Sequence, residues 1–223
     1  NKKKLGANTI LSVSLATASA AAKYQGIDIY KYLGGVNTNL LPIPLVNIIN
    51  GGAHASNNLD IQEFMIAPVG ANTFAEALRW CSEIFFNLKQ LLKDKNYSTS
   101  VGDEGGFAPN FENNFEPMDF LLKAIKLSNL NPEKQVLISL DVASSEFFKK
   151  NRYFINSENK KINSNEMVEL LEKIVAQYPI FSIEDGCAED DWKGWVNLNR
   201  KLGKNTLLVG DDLFVTNKVR LEE

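Results

Sequence analysis

Three acidic residues stand where short apolar segments end: Asp141 follows Leu-Ile-Ser-Leu, Glu184 follows Phe-Ser-Ile and Asp211 follows Leu-Val-Gly. A short apolar run followed by polar residues and helical periodicity is typical of a buried parallel strand that leads into a helix. The three carboxylates are therefore predicted at the carboxyl ends of strands. In a (β/α) barrel these ends converge on one face, where loops from separate strands build the site.

Carboxylates gathered at one face repel one another unless a cation lies between them. Hard oxygen ligands without a nearby His or Cys partner favour Mg²⁺ over zinc. Each acid taken alone could instead cap the helix that follows it or interact with the helix dipole. Repetition at a spacing close to the roughly 30 residues of one βα unit favours the metal site. The neighbouring acids are interpreted as helix-entry and solvated residues: Asp185, Asp212, Glu189, Asp190 and Asp191.

Two further acids, Glu104 and Glu63, lie in a Gly-rich segment and in an apolar strand. Glu104 lies in the segment Val101–Pro109, which contains three glycines that let the backbone approach a small ligand closely. Glu63 interrupts an otherwise apolar strand. If the two meet, repulsion and partial burial raise one pKa and leave a carboxyl group that can donate a proton. Taken singly, Glu104 could be a turn acid and Glu63 a solvent-facing strand residue. His54, the only histidine, follows two glycines and is a candidate for substrate contact.

Composition limits the classes of protein to which the chain can belong. Its 223 residues are 44% hydrophobic, enough for one large domain or for one domain and part of another. The net charge of -3 argues against a nucleic-acid or anionic-membrane surface. No stretch reaches the roughly 18 uninterrupted apolar residues of a transmembrane helix. Two cysteines make no disulfide framework and favour a reducing cytoplasm; Cys187 is interpreted as buried and inert rather than reactive.

The order of predicted elements indicates an α/β fold. An Ala-rich helix ends at Gly26, and the prolines at 42 and 44 mark a boundary between residues 1–40 and 41–223. The second part has the order β-β-α-α and then β-α-β-α-β, which is a barrel that is begun but not closed. Helical periodicity places Leu127 and Val196 on the buried faces of their helices. The chain opens without Met, and it is expected to be a fragment.

Several segments together resemble the enolase family, the phosphopyruvate hydratases. The matching segments are NIINGGAH (47–54), QEFMIAP (62–68), GDEGGFAP (102–109), LDVASSEFF (140–148), SIEDGCAEDDW (182–192) and GDDLFVTN (210–217). Their order and separations agree with the family, and Gly186 is more similar to bacterial members. The resemblance implies a TIM-type barrel of the enolase kind, truncated here, with residues 1–40 as the end of a smaller α+β N-terminal domain.

The resemblance also implies roles for individual residues. Asp141, Glu184 and Asp211 would bind Mg²⁺, Glu104 would donate a proton with Glu63 as its carboxylate partner, and His54 and Gln62 would contact substrate. The implied reaction is the reversible dehydration of 2-phospho-D-glycerate to phosphoenolpyruvate in glycolysis, by a cytoplasmic homo-oligomer, a dimer or larger.

The family's general base is a Lys that would lie beyond Glu223, so the chain alone is expected to be inactive. Two alternatives stay open at this point. One is a related lyase of the same superfamily that acts on sugar acids. The other is an enolase exposed at the cell surface or secreted, which binds a host protein without catalysis.

Overall fold

The N-terminal part of the chain is helical. In this computed structural model, which describes residues 2–223, it forms a unit that extends to Pro42. Its helices are α1 (Lys2–Leu5), α2 (Ala7–Gln25) and α3 (Ile29–Gly34). Gly26 ends α2 with a φ of 67°, the left-handed conformation that commonly ends helices. The assignment of residues 1–40 to a smaller α+β domain stays a prediction.

The second unit, Ile43–Glu223, contains two sheets. The strands are β1 (Val46–Asn50), β2 (Glu63–Ala67), β3 (Leu137–Asp141), β4 (Phe148–Lys149), β5 (Arg152–Ile155), β6 (Lys160–Ile162), β7 (Ile180–Glu184) and β8 (Leu207–Val209). The larger sheet has the order β1-β2-β3-β7-β8. Its first two pairings are antiparallel and its last two are parallel. This open, mixed sheet confirms the predicted fold class.

Five helices accompany these strands. They are α4 (Phe74–Asp94), α5 (Glu116–Leu127), α6 (Ser164–Gln177), α7 (Trp192–Leu202) and α8 (Lys218–Glu222). The start of α6 is a capping box, because Asn163 accepts the Glu166 N–H while the Glu166 carboxylate accepts the Asn163 N–H. Among the described residues, no helix combines the length and the apolar character that crossing a membrane requires.

One face of the large sheet belongs to the hydrophobic core. Phe64, Leu140 and Ile183 are opposite one another on β2, β3 and β7, and all three are fully buried. Because side chains alternate along a strand, the residue before Phe64 and those after Leu140 and Ile183 point to the other face. Those three residues are Glu63, Asp141 and Glu184.

Two predicted core positions are wrong. Leu127 at the end of α5 is 56% exposed, and Val196 in α7 is 70% exposed. Their places are taken by Ile125 and Leu198, which are fully buried. Helical spacing identifies an apolar stripe, but the edge of that stripe is buried only where another element covers it.

The smaller sheet, β4-β5-β6, is inserted between β3 and α6. Strands β4 and β5 form a hairpin, and Lys150 and Asn151 form its turn with φ values of 52° and 58°. Positive φ at both central residues matches the tight turns that suit twisted strands. The third strand was not predicted, since Lys160–Ile162 is short and mostly exposed. A 3₁₀ turn at Asn156–Glu158 joins it to β5.

Candidate functional site

Three acidic side chains form one row across the large sheet. Glu63 on β2 is paired with Asp141 on β3, and Asp141 is paired with Glu184 on β7. The row continues to Asn50 on β1 and to Val209 on β8. Neighbouring strands lie about 4.7–4.9 Å apart, and paired residues point to the same face of a sheet. Residues far apart in sequence therefore present their carboxylates side by side.

Asp141, Glu184 and Asp185 form the first of two acidic clusters. An oxygen of each carboxylate lies within 4.8 Å of an oxygen of the other two. The Oδ2 atom of Asp141 accepts a hydrogen bond from Nε2 of Gln62 at 3.0 Å, and its Oδ1 accepts one from the backbone of Ala143 at 3.0 Å. We call this group the carboxylate cluster. Gln62, predicted to contact substrate, thus also orients Asp141.

Asp185 differs from its interpretation as a solvated helix-entry residue. It is only 3% exposed and has a φ of 44°. Its carboxylate accepts the backbone N–H groups of Asp211, Asp212 and Leu213 at 3.2, 2.8 and 3.3 Å. Asp185 therefore fixes the turn after β8 that carries Asp211. The side chain of Asp211 is exposed and lies outside the group of three.

Burial and mutual repulsion raise the pKa values of the carboxylates in the carboxylate cluster. Burial raises the pKa of Asp141 to about 6, and it raises the pKa of Glu184 to about 7 with further repulsion from Asp141, Asp185 and Asp211. Among residues 43–223, no Lys or Arg forms an ion pair with Asp141 or Glu184. Oxygen-only ligands with uncompensated negative charge suit a hard dication such as Mg²⁺.

Glu63, Glu104 and His54 form the second cluster, which we call the proton cluster. One ligand atom of each lies within 4.8 Å of the others, and Nδ1 of His54 lies 3.0 Å from Oε2 of Glu104. The predicted meeting of the two glutamates therefore occurs. Burial, followed by the contact with Glu104, raises the pKa of Glu63, while the hydrogen bond from Glu63 lowers the pKa of Glu104. These opposite shifts favour a proton on Glu63 over one on Glu104.

A network of asparagines and glycines places Glu104. Nδ2 of Asn47 lies 2.6 Å from Oδ1 of Asn50 and 3.3 Å from Oε2 of Glu104. A Cβ atom on Gly102 or Gly106 would lie 2.5 or 2.3 Å from the amide of Asn50. Two of the three glycines thus let the backbone approach Asn50 closely, and the predicted approach to a ligand stays a prediction. Asn47 and Asn50 were given no role from sequence, although both lie in the NIINGG segment.

Cys187 is buried, as predicted. It is fully inaccessible, and burial raises the pKa of its thiol to about 12. A thiol with such a pKa is protonated near neutral pH and is a poor nucleophile. Its proximity to Glu184 in sequence therefore adds no reactive group to the site.

One family model matches most of the chain. Its description is "Enolase, C-terminal TIM barrel domain", and it matches residues 38–223. The chain belongs to this enolase family. Both clusters lie within the matched residues, and so does every residue that the sequence analysis assigned to the site. Membership supports a lyase-type enzyme whose acidic residues bind a metal ion and whose substrate is a small molecule.

Proposed function

We propose that this chain supplies the acid and the metal-binding residues for the Mg²⁺-dependent, reversible dehydration of 2-phospho-D-glycerate to phosphoenolpyruvate. Family membership supports a lyase, and one observation supports this reaction most strongly. Glu63, on which a proton is favoured, is paired in register with Asp141 of the carboxylate cluster. A proton donor beside a cation site is what the loss of hydroxide next to an enolate requires.

The metal ligands in this proposal are Asp141, Glu184 and Asp211. A bound Mg²⁺ supplies positive charge where the enolate-like charge of the substrate develops. Gln62 keeps the Asp141 carboxylate in one orientation through its 3.0 Å hydrogen bond. Asp185 holds the turn of Asp211 by accepting the N–H groups of Asp211, Asp212 and Leu213, so the exposed carboxylate of Asp211 projects from a fixed turn.

The proton cluster acts on the leaving hydroxyl group. Glu104 is the more exposed of the two glutamates, and it receives the proton from Glu63 before it donates that proton to the hydroxyl oxygen. The carbon–oxygen bond then breaks and water leaves. His54 and Asn47 both contact Oε2 of Glu104 and keep the position of its carboxylate. In the reverse direction, the same pair accepts the proton of the attacking water.

The test uses the complete enzyme of which this chain is proposed to be a part. With 2-phospho-D-glycerate and Mg²⁺, we expect phosphoenolpyruvate to form, as measured by its ultraviolet absorbance, and we expect a chelator to abolish its formation. Sugar acids that lack the phosphate should not react. Turnover of such sugar acids without turnover of 2-phospho-D-glycerate would instead assign the chain to another lyase of the superfamily.

A further inference from the structure

A buried carboxylate outside both clusters has no part in the proposed reaction. Asp60 is only 6% exposed, and it lies between His54 and Gln62 in sequence. A buried charge requires hydrogen-bond partners, because an unpaired one is costly. The partners of Asp60 therefore indicate what the residue does.

Four donors converge on the Asp60 carboxylate. Its Oδ1 accepts the N–H of Asn156 at 2.7 Å. Its Oδ2 accepts the N–H and the hydroxyl group of Ser157 at 3.1 and 2.5 Å, and Nδ2 of Asn114 at 2.9 Å. The Asp60 N–H in turn donates to Oδ1 of Asn114 at 3.0 Å. Asn156 and Ser157 belong to the 3₁₀ turn of the small sheet, whereas Asn114 precedes α5.

The segment that contains Asp60 is a closed loop. The N–H of Gly51 donates to the carbonyl of Gln62 at 2.8 Å, and the N–H of Gly52 donates to the carbonyl of Leu59 at 3.1 Å. His54 therefore lies in a loop whose two ends are joined. Because Asp60 is near one of those ends, fixing its side chain restricts both His54 and Gln62.

We propose that Asp60 is a positioning residue that anchors the loop of His54 and Gln62 to the 3₁₀ turn of the small sheet. The roles of His54 and Gln62 in this inference rest on the proposed function. Hydrogen bonds to a charged group are stronger than neutral ones, which explains a carboxylate at this position. The small sheet thereby becomes a support of the site and not only an insertion between β3 and α6.

The first experiment measures the mobility of the loop without reference to activity. In Asp60→Asn, the new amide group faces N–H donors and at least one hydrogen bond is lost. We expect hydrogen exchange at the amides of residues 51–62 to accelerate about 10-fold or more. Asp191→Asn is the matched control, because Asp191 is also buried and accepts hydrogen bonds from the Tyr153 hydroxyl and the Gly194 N–H. In that control, exchange at residues 51–62 should match the wild-type protein.

Unchanged exchange at residues 51–62, or equal acceleration over the whole protein, would overturn the inference. Ser157→Ala removes one donor and serves as a milder variant should Asp60→Asn fail to fold; it should accelerate the same amides by a smaller factor. In the complete enzyme, both variants should raise KM for 2-phospho-D-glycerate more than they lower kcat. A failure of the proposed function would leave the exchange result intact, so the two hypotheses are tested separately.

Discussion

Glu63 of the proton cluster and Asp141 of the carboxylate cluster are neighbours in one row. The two clusters differ in how the repulsion between their carboxylates is reduced. In the proton cluster, the pKa of Glu63 is raised and that of Glu104 is lowered, and His54 and Asn47 contact Oε2 of Glu104. In the carboxylate cluster, the Asp141 carboxylate accepts hydrogen bonds from the Gln62 amide and from the Ala143 N–H. One cluster reduces its own charge, whereas the other retains a charge that a cation can neutralise.

The origins of the two clusters also differ. The carboxylate cluster follows from strand register, because Asp141 and Glu184 are the last residues of β3 and β7. The proton cluster needs a loop, since Glu104 reaches Glu63 only because Gly102 and Gly106 let the loop pack against Asn50. Two of the three proposed metal ligands thus follow from strand register, while the acid depends on close backbone approach.

The largest predicted effect is on the proton cluster. In the complete enzyme, Glu104→Gln should slow dehydration by about 10²–10⁴-fold, since it removes a general acid. Exchange of the substrate α-proton with solvent, followed by NMR, should stay near the wild-type rate, because the acid acts after that proton has left. Glu112→Gln replaces an exposed glutamate of the same region and should change neither rate. Equal loss of exchange and dehydration would mean that Glu104 positions substrate or metal.

The next effect separates the clusters by metal affinity. Asp141→Asn should weaken Mg²⁺ binding, measured calorimetrically. The loss should be at least about 10–100-fold, which is typical when a group that supports a metal ligand is removed. Glu63→Gln, one row position away, should leave the affinity nearly unchanged, because the raised pKa of Glu63 keeps it neutral in the free protein. Comparable losses in the two variants would remove the distinction between the clusters.

A steric change beside Asn50 should slow dehydration without changing Mg²⁺ affinity. Gly106→Ala places a Cβ atom 2.3 Å from Oδ1 of Asn50 and 2.9 Å from the backbone of Ile48 and Ile49. We expect a loss of about 1–3 kcal/mol in the free energy of unfolding, measured with urea. Gly70→Ala, which would lie 2.8 Å from the backbone of Gln135 at the other end of β3, is the control. Both should lose stability, but only Gly106→Ala should slow dehydration, and neither should change Mg²⁺ affinity.

The smallest effect concerns pH. Asp141 and Glu184 have folded-state pKa values of about 6 and about 7, above their ordinary values of 3.8 and 4.5. A raised carboxyl pKa contributes stability below the unfolded value, and that stability is lost as pH rises through the folded value. Mg²⁺ binds the ionised carboxylates more tightly than the protonated ones. The rise in melting temperature that Mg²⁺ causes should therefore become larger as the pH increases from about 4 to about 7. A gain that is constant over this range would contradict uncompensated charge at Asp141 and Glu184.

The sequence predicts the parts of the fold that local rules govern. The strand Ile180–Glu184 ends at Glu184 as predicted, since an apolar run followed by polar residues is a short-range signal. Leu127 and Val196 were misplaced because their exposure depends on neighbouring elements. β6 has too few apolar residues to give a signal of its own.

In the candidate site, too, local sequence signals predict some features, whereas others depend on contacts between distant segments. Alternating apolar runs place Asp141 and Glu184 at strand ends, and register then makes them neighbours. The scaffold role of Asp185 is not visible in sequence, because it depends on a left-handed backbone and on a turn 26 residues away. The anchoring role of Asp60 is also not visible in sequence, because its partners Asn156 and Ser157 lie about 96 residues away in the 3₁₀ turn of the small sheet.

The two ends of the row, Asn50 and Val209, differ in how much of the surrounding packing depends on their side chains. Asn50 is enclosed by two glycines, so its replacement disturbs the packing of a loop. Val209 is only partly buried, and its backbone pairing with Glu184 does not depend on its side chain. A different residue at position 209 would add a new functional group next to Glu184 without altering the order of strands. A substitution at position 209 is therefore expected to change the surroundings of Glu184 with less disturbance of loop packing than a substitution at position 50.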